Sequence, residues 1–281
     1  MATTDTTPFV ISTMNYTLDN GIPPDYYFYE PDPTIRLNPP GTDIREVKIF
    51  DGWPQAKEFS VDREGFEILP FADQFGEFDE FDQFENDAAV QQLFYPQVTQ
   101  FVKQHTGASR VEVFDHTIRK RLPADLKQQT EVQRPAVMLA HSDYTPESGP
   151  QRVRDLLADE AEVLLQGRVV FFNVWKPLYR PIQELPLAMC DATSAATDDM
   201  LLMQLKYHDR TGEIFVMRHA PSHRWFYFPD MTPDQALLLK TYDSEIDGRA
   251  RFMGHSAFED PHTPANALKR ESIEVRTMAF F

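Results

Sequence analysis

The sequence of 281 residues has few of the features that stabilise or anchor secreted and membrane proteins. It contains a single cysteine, Cys190, so no disulfide can form within the chain. No apolar stretch approaches the roughly 20 residues of a membrane-spanning helix. The first residues lack the basic and apolar regions of a signal peptide. These absences exclude a disulfide-rich scaffold and predict an intracellular, cytoplasmic protein.

Basic residues are also scarce. Lys and Arg number 27 against 44 Asp and Glu, which gives a formal charge of −17. Nucleic acids and anionic membranes attract positively charged proteins, so we expect neither as the main partner. Hydrophobic residues make up 42% of the chain and aromatic residues 12%, enough for the core of one large domain or two small ones. We expect a small-molecule partner, and the sequence leaves a homodimer open.

Composition divides the chain near residue 107. Residues 1–60 are rich in Pro, Tyr and Asp and indicate an irregular arm with short strands, for example over 45–50. Residues 72–87 carry seven acids, no bases and four Phe. We interpret them as a surface loop whose Phe side chains dock on the core, rather than as a contact segment for a basic or apolar partner. The prediction is one compact domain, with an arm and flanking helix over 1–107 packed on a core over 108–281.

Hydrophobic periodicity predicts three helices and many short strands. The helices are expected over 88–106 (with a kink or break at Pro96), over 151–166, and over 232–242, where Thr-Pro-Asp-Gln resembles a capping box. Short strands with few helices favour a mainly β protein. We predict a jelly-roll barrel (a double-stranded β-helix of the cupin type) with its helices outside. The strands are expected over 110–118, 136–141, 168–175, 187–191, 201–207, 213–218, 225–228, 250–257 and 272–280.

A histidine and an aspartate at the end of a predicted strand suggest a metal site. Side chains two residues apart on a strand point the same way, so His141 and Asp143 would aim at one point. One more His from a distant strand would complete a two-His-one-carboxylate face, the usual holder of non-haem Fe(II) with open positions for substrates. This motif alone is a weak signal, since a capping Asp beside a hydrogen-bonded structural His has the same sequence.

The second half of the site lies near the C-terminus. His255 precedes the last predicted strand, and Arg270 and Ser272 follow it on one strand face. An arginine fork with a hydroxyl can bind a small dicarboxylate beside the metal. Arg276 shares that face and rivals Arg270 for this role, although Glu274 between them could neutralise Arg276. The distal histidine has to be chosen from His208, His219, His223, His255 and His262, of which we favour His255.

Several segments carry a family resemblance. The chain from about residue 108 to 281 resembles the CmcJ/gibberellin-desaturase-like oxygenases, a largely fungal and bacterial family, whereas the first hundred residues match only loosely. The segments are DYTPESGP from Asp143, FNVWKP from Phe172, HRWFYFPDM from His223, KTYDS from Lys240, HSAFEDP from His255 and RESIEVR from Arg270.

The resemblance implies a chemistry and a set of residues. It implies an Fe(II)/2-oxoglutarate-dependent oxygenase that uses O2 in secondary metabolism, by hydroxylation, desaturation or oxidative cyclisation, and releases succinate and CO2. It also implies that His141, Asp143 and His255 bind the iron. Arg270 and Ser272 would hold the remote carboxylate of the oxoacid.

Six residues are candidates for substrate contacts, because they follow the metal carboxylate, share a neighbouring strand face or begin a nearby helix. An ordinary structural role competes with each: the tryptophan would pack in the core, and the arginines would lie in water at a helix start. The candidates are Tyr144, Thr145, Asn173, Trp175, Arg152 and Arg154.

Two other functions compete with the oxygenase. The family takes its name from a two-protein methoxylation system, so the chain could be a non-catalytic subunit that presents substrate to a methyltransferase. It could also be a cupin-like metal hydrolase. A presenting subunit needs no oxoacid site, and a hydrolase would use the metal ligands without Arg270. The combination of metal motif and Arg-x-Ser therefore favours an oxygenase that oxidises an unactivated C–H of a small metabolite.

Overall fold

Two β-sheets face each other in this computed structural model, which describes residues 6–71, 84, 86–120 and 133–281. The strands of the described residues are β1 (Phe9–Leu18), β2 (Asp25–Tyr27), β3 (Gly41–Asp51), β4 (Phe66–Pro70), β5 (Arg110–Lys120), β6 (Gln133–Arg134), β7 (His141–Ser142), β8 (Val169–Pro177), β9 (Leu187–Cys190), β10 (Met200–Lys206), β11 (Thr211–Met217), β12 (Trp225–Tyr227), β13 (Gln235–Asp243), β14 (His255–Ala257) and β15 (Glu271–Phe280). One sheet has the order β1-β3-β12-β9-β14-β7-β11-β10-β2, and the other has the order β4-β13-β8-β15-β5-β6. This is the mainly β, two-sheet arrangement that the strand pattern predicts.

Strand β8 is buried along its whole length because both of its faces are covered. On one face Trp175 packs with Met189 and Phe226 of the facing sheet. On the other face Val174 packs in the cluster that contains helix residues. A strand buried on both faces reads as a nearly continuous apolar run. A polar residue in it, such as Asn173, therefore needs a specific partner.

Helices lie on the outer side of the six-stranded sheet and beside the metal motif. They are α1 (Asp87–Ala89), a π-helical turn (Val90–Phe94), α2 (Tyr95–Thr106), α3 (Ser148–Leu157) and α4 (Ala161–Leu164), with 3-10 turns at Trp53–Gln55, Ala158–Glu160, Ala192–Ser194 and Thr197–Asp199. Helix α2 packs Val98 and Val102 against the sheet. The predicted helix over 88–106 is confirmed, with the π-helical turn directly before the turn that contains Pro96. No helix of the described residues is long and apolar enough to cross a membrane.

The predicted helix over 232–242 is wrong, because this segment forms strand β13. The local signal exists: the Thr232 N–H donates to Gln235 Oε1 (2.9 Å), and the Gln235 N–H donates to the Thr232 carbonyl (3.1 Å). These bonds close a turn and not a helix. The apolar run that follows is buried between β4 and β8, and tertiary pairing overrides a local capping preference.

The segments that carry the histidines are less regular than predicted. The strand expected over 136–141 is only β7, and the strand expected over 250–257 is only β14. The chain before each strand bonds to isolated partners instead of a continuous neighbour, as when the Ala140 N–H donates to the Asn15 carbonyl (2.9 Å). The helix expected over 151–166 begins earlier, as α3, and breaks at Ala158, whose φ is 38°.

The N-terminal arm is more ordered than predicted. Strands β1 and β3 pair along ten residues, from Phe9↔Phe50 to Leu18↔Gly41, and β3 also pairs with β12 of the core. The strand expected over 45–50 is confirmed but is part of a longer one. The domain division at residue 107 stays a prediction. Most of the acidic segment 72–87 lies outside the described residues, and its interpretation stays a prediction too.

Candidate active site

His141, Asp143 and His255 come together where strands β7 and β14 pair. His141 and His255 are opposite each other in the ladder, and their ring centroids are 4.4 Å apart. Asp143 Oδ1 lies 3.5 Å from His141 Nε2 and 4.0 Å from His255 Nε2. Within the part of the chain that the structure describes, this is the only group of three His, Cys, Asp or Glu ligand atoms close enough to share a metal, all within 4.8 Å of one another.

The orientation and surroundings of the three groups suit a divalent cation. His141 Nδ1 donates to the Leu139 carbonyl (2.7 Å) and His255 Nδ1 to the Met253 carbonyl (3.4 Å), so each ring turns its Nε2 toward the cluster. Burial, reinforced by His141, lowers the pKa of His255 to about 4, so this ring stays neutral. Burial opposes ionisation of Asp143, but the charge of nearby Arg276 helps to hold its pKa well below the usual range. Two imidazole nitrogens and a carboxylate fit Fe(II).

Arg270 is a buried cation that lacks a carboxylate partner among the described residues. Its side chain is nearly inaccessible (the residue is 4% exposed), its Nε donates to Ser272 Oγ (3.1 Å), and its Nη1 donates to the Leu185 carbonyl (2.6 Å). Burial first, and then the charge of Arg119, lower the pKa of Arg270 to about 9. A guanidinium that is bonded only to neutral oxygens in a low-dielectric interior is suited to an anionic ligand.

One small cavity touches both the histidines and Arg270. The cavity therefore connects the position that a metal would take at the histidines with the guanidinium of Arg270. The lining also includes Arg119 and Glu274, whose side chains form an ion pair (3.8 Å). The lining residues are Arg119, Val137, His141, Leu187, His255, Ala257, Arg270 and Glu274.

Arg276, the rival for the anion site, is already surrounded by carboxylates. Its Nη1 donates to Asp115 (3.0 Å), its Nε to Asp143 (3.4 Å) and its Nη2 to Glu274. These charges raise the pKa of Arg276 well above its ordinary value despite its burial. The predicted Arg276–Glu274 pair is present, and the geometry favours Arg270 as the anion-binding arginine.

Asn173 and Trp175, both on β8, contact the candidate site through its polar residues. Asn173 Nδ2 donates to Asp143 Oδ2 (2.6 Å), and the Arg270 guanidinium lies 5.1 Å from the centre of a Trp175 ring. Both side chains are almost wholly buried. Asn173 Oδ1 and Trp175 Nε1 are buried without a hydrogen-bond partner among the described residues.

Tyr144 and Thr145 are both buried beside the metal motif. Tyr144 packs edge-on against Phe171, and burial raises the pKa of its phenol. Thr145 Oγ1 accepts the backbone N–H groups of Glu147 (3.2 Å) and Ser148 (3.0 Å), so it caps the start of α3. The capping bonds give Thr145 a structural role that the sequence did not reveal.

The two arginines of helix α3 differ in exposure. Arg152 is half-buried and lies over the Phe114 ring, 5.2 Å from its centroid. Arg154 is exposed and pairs with Glu162 (2.6 Å). Its exposure and its ion pair favour an ordinary role for Arg154, that of a solvated helix residue, over a contact with substrate.

The other four histidines considered for the distal ligand lie elsewhere. His208 stacks on Tyr29, and His262 is exposed. His219 and His223 both pack against Tyr16, and His223 also forms a hydrogen bond with Asp199.

Sequence reasoning missed two contributors to the anion end of the cavity. Arg119 lies opposite Ser272 in the β5–β15 ladder, a placement that only the strand register reveals. The Leu185 carbonyl that accepts from Arg270 belongs to a non-glycine residue with φ 49°, an uncommon backbone conformation with no sequence signal here.

Comparison with known proteins gives consistent matches along nearly the whole chain. A family model described as "Oxidoreductase/YMDC permease-like domain" matches residues 14–280. The hydroxylase/desaturase efuI of Hormonema carpetanum is 30% identical over 98% of this chain and 96% of its own length. The Fe(II)/2-oxoglutarate-dependent dioxygenase nvfI of Aspergillus novofumigatus is 31% identical over 84% of this chain and 83% of its own. The solved structure of the iron and alpha-ketoglutarate-dependent endoperoxidase NvfI superposes with a TM-score of 0.87 and 27% identity, covering 97% of this chain and 98% of that chain.

Proposed function

The chain belongs to the CmcJ/gibberellin-desaturase-like family of Fe(II)/2-oxoglutarate-dependent oxygenases, and on that premise we propose which of its residues carry the reaction. His141, Asp143 and His255 hold the iron, and Arg270 with Ser272 binds the remote carboxylate of 2-oxoglutarate. The observation that carries this assignment is the buried Arg270, which lacks a carboxylate partner among the described residues and faces a cavity that both histidines line.

The residues of the chain would bind and orient the metal, the oxoacid and the substrate, while the bound iron with O2 and 2-oxoglutarate would supply the oxidation itself. His141, Asp143 and His255 would hold the iron from one side, so that the co-substrates could reach it from the other. Arg270 and Ser272 fix the orientation of the oxoacid by binding its far end. The apolar walls formed by Val137, Leu187 and Ala257 limit water in the cavity.

The substrate is a small secondary metabolite that is oxidised at an unactivated C–H by hydroxylation, desaturation or oxidative cyclisation. We assign Tyr144 and Arg152 to the substrate side. Tyr144 directly follows the metal carboxylate in sequence and packs on Phe171, and Arg152 lies over Phe114, which contacts Phe171. A substrate-presenting subunit or a metal hydrolase would have no use for the buried charge of Arg270.

The experiment that tests the assignment uses metal-free protein under anaerobic conditions. Addition of Fe(II) and 2-oxoglutarate should produce the weak visible metal-to-ligand charge-transfer band of the chelate. His255→Ala and Arg270→Ala should lose the band at the same ligand concentrations. His219→Ala should retain it and serves as the control, since His219 packs against Tyr16. An iron-loaded wild type without the band would contradict the proposal.

We further propose a cytoplasmic homodimer. The only cysteine, Cys190, is a free and buried thiol, which suits a reducing compartment. Large apolar side chains are exposed along the N-terminal arm, among them Ile11, Leu18, Ile22 and Ile44, and exposed apolar groups often mark interfaces. Cell fractionation and sedimentation velocity test the two statements, and a monomer at micromolar concentration would contradict the second.

A further inference from the structure

The two oxygens of Asp143 have different surroundings. Oδ1 faces His141 Nε2 (3.5 Å) and His255 Nε2 (4.0 Å). Oδ2 accepts a short hydrogen bond from Asn173 Nδ2 (2.6 Å) and a longer one from Arg276 Nε (3.4 Å). One oxygen is therefore directed to the metal position, and the other is bonded to the opposite sheet.

The orientation of the Asn173 amide is fixed by this contact. A reversed amide would bring its oxygen to 2.6 Å from a carboxylate oxygen, a repulsive arrangement, so the NH2 group must face Asp143. As a consequence the Asn173 Oδ1 is left buried with no partner among the described residues. An unpaired buried acceptor costs free energy. Fold stability alone does not account for an amide at this position of an otherwise apolar strand face.

Arg276 cannot replace Asn173 in this role. Its guanidinium is shared with Asp115 and Glu274, and its Nε is 0.8 Å farther from the Asp143 oxygen (3.4 against 2.6 Å). Asn173 is opposite Arg276 in the β8–β15 ladder, so the two donors approach the same oxygen from adjacent strands. The shorter and unshared bond is that of Asn173.

We propose that Asn173 is a positioning residue that restricts Asp143 to one metal contact, through Oδ1. This inference rests on the proposed iron site. A carboxylate whose second oxygen is held elsewhere cannot chelate the metal with both oxygens, and the position thus left open stays available to the oxoacid or O2. Hydrogen-bond partners of metal ligands set ligand orientation in this way, and their loss typically costs about 10–100-fold in metal affinity.

The test measures metal binding without turnover. Co(II) is titrated into metal-free wild type and Asn173→Leu, with affinity from calorimetry and coordination from the visible absorption of the ion. We expect a loss of affinity of about 10–100-fold, an altered Co(II) spectrum and little change in the melting temperature of the metal-free protein. Thr277→Val is the matched control. It removes a buried hydrogen bond of the neighbouring strand, from Thr277 Oγ1 to the Phe172 carbonyl (2.9 Å), and should lower the melting temperature with Co(II) binding unchanged.

The possible outcomes distinguish the positioning role of Asn173 from the iron site itself. If Asn173→Leu does not fold, Asn173→Ala removes the same donor without added bulk and takes its place. Wild-type affinity and an unaltered spectrum in the Asn173 variant would overturn the positioning role while leaving the iron site intact, as would a lower melting temperature with normal Co(II) binding. If the wild type itself binds no Co(II) at this cluster, it is the proposed iron site that fails.

Discussion

At the scale of single residues, Arg270 and Arg276 show how surroundings give two identical side chains, one just before β15 and one within it, different roles. Arg270 bonds neutral oxygens and lies over an indole ring, and burial lowers its pKa to about 9. Arg276 touches Asp115, Asp143 and Glu274, and its pKa is raised. The charge of Arg270 is thus a cost to the metal-free protein that a ligand anion would relieve, whereas the charge of Arg276 is needed by the fold.

We predict opposite effects of the same substitution at these two positions. Arg270→Leu should leave the free energy of unfolding of the metal-free protein unchanged or raised, and should abolish 2-oxoglutarate binding. Arg276→Leu should destabilise by about 3–5 kcal/mol, because it leaves buried carboxylates without their counter-charge. Urea unfolding and calorimetric titration of 2-oxoglutarate with Mn(II) present measure both effects. A larger loss of stability in the Arg270 variant would contradict our assignment of roles.

At the scale of elements, the three-residue strand β14 carries His255. The backbone that leads into this strand passes close to a neighbouring side chain. A Cβ added at Gly254 would lie 2.2 Å from Met217 Sδ, a sulfur in a wholly buried side chain. The Gly254 carbonyl also accepts from the Cys190 N–H (2.8 Å), which fixes β14 to β9. The position of one proposed iron ligand is therefore coupled to packing on the neighbouring strand.

Gly254→Ala should consequently weaken both stability and metal binding. Overpacking of this kind costs about 1–3 kcal/mol, and displacement of β14 would move the imidazole of His255. Met217→Ala provides the space that the added methyl group needs. The double variant should therefore lose less unfolding free energy than the sum of the two single variants, a non-additivity expected of residues in contact. Strict additivity in urea unfolding would show that the two side chains do not compete for the same space.

At the scale of the whole molecule, histidines buried away from the proposed iron site should make stability depend on pH. Burial lowers the pKa of His116, next to Tyr95, and of His223, next to Asp199. Well above pH 6.5 both rings are neutral in the folded and unfolded chain and contribute no pH dependence. Below it, the unfolded chain binds protons first, so stability is lost as the pH falls toward the lower folded-state values.

We therefore predict that the free energy of unfolding of the metal-free protein decreases from about pH 6.5 downward, by at most about 1.4 kcal/mol per pH unit for each such histidine. His116→Gln should make this dependence shallower. His262→Gln changes an exposed histidine and should not. Urea unfolding between pH 5 and 8 measures the slopes, and equal slopes for wild type and His116→Gln would contradict the prediction.

The sequence was sufficient for the family, the chemistry and the fold class, because ligand types and strand patterning are written locally. The His-x-Asp and Arg-x-Ser motifs show which ligand atoms the chain can offer, whatever its fold. Short strands between turns favour a two-sheet barrel. The family and the two-sheet fold are confirmed. The roles of His141, Asp143, His255, Arg270 and Ser272 stay proposals, now supported by their geometry.

Other features of the protein depend on contacts between distant segments, and only the tertiary structure decided them. The run after Thr232 is a strand and not a helix because β4 and β8 lie on either side of it. Asn173 and Arg276 meet Asp143 because strand pairing and sheet packing bring three distant segments together, which no local motif reveals. The sequence by itself determined which atoms are available for iron and oxoacid. The packing of two sheets determined which of these atoms are fixed by hydrogen bonds, which are neutralised by a counter-charge and which stay available to a ligand.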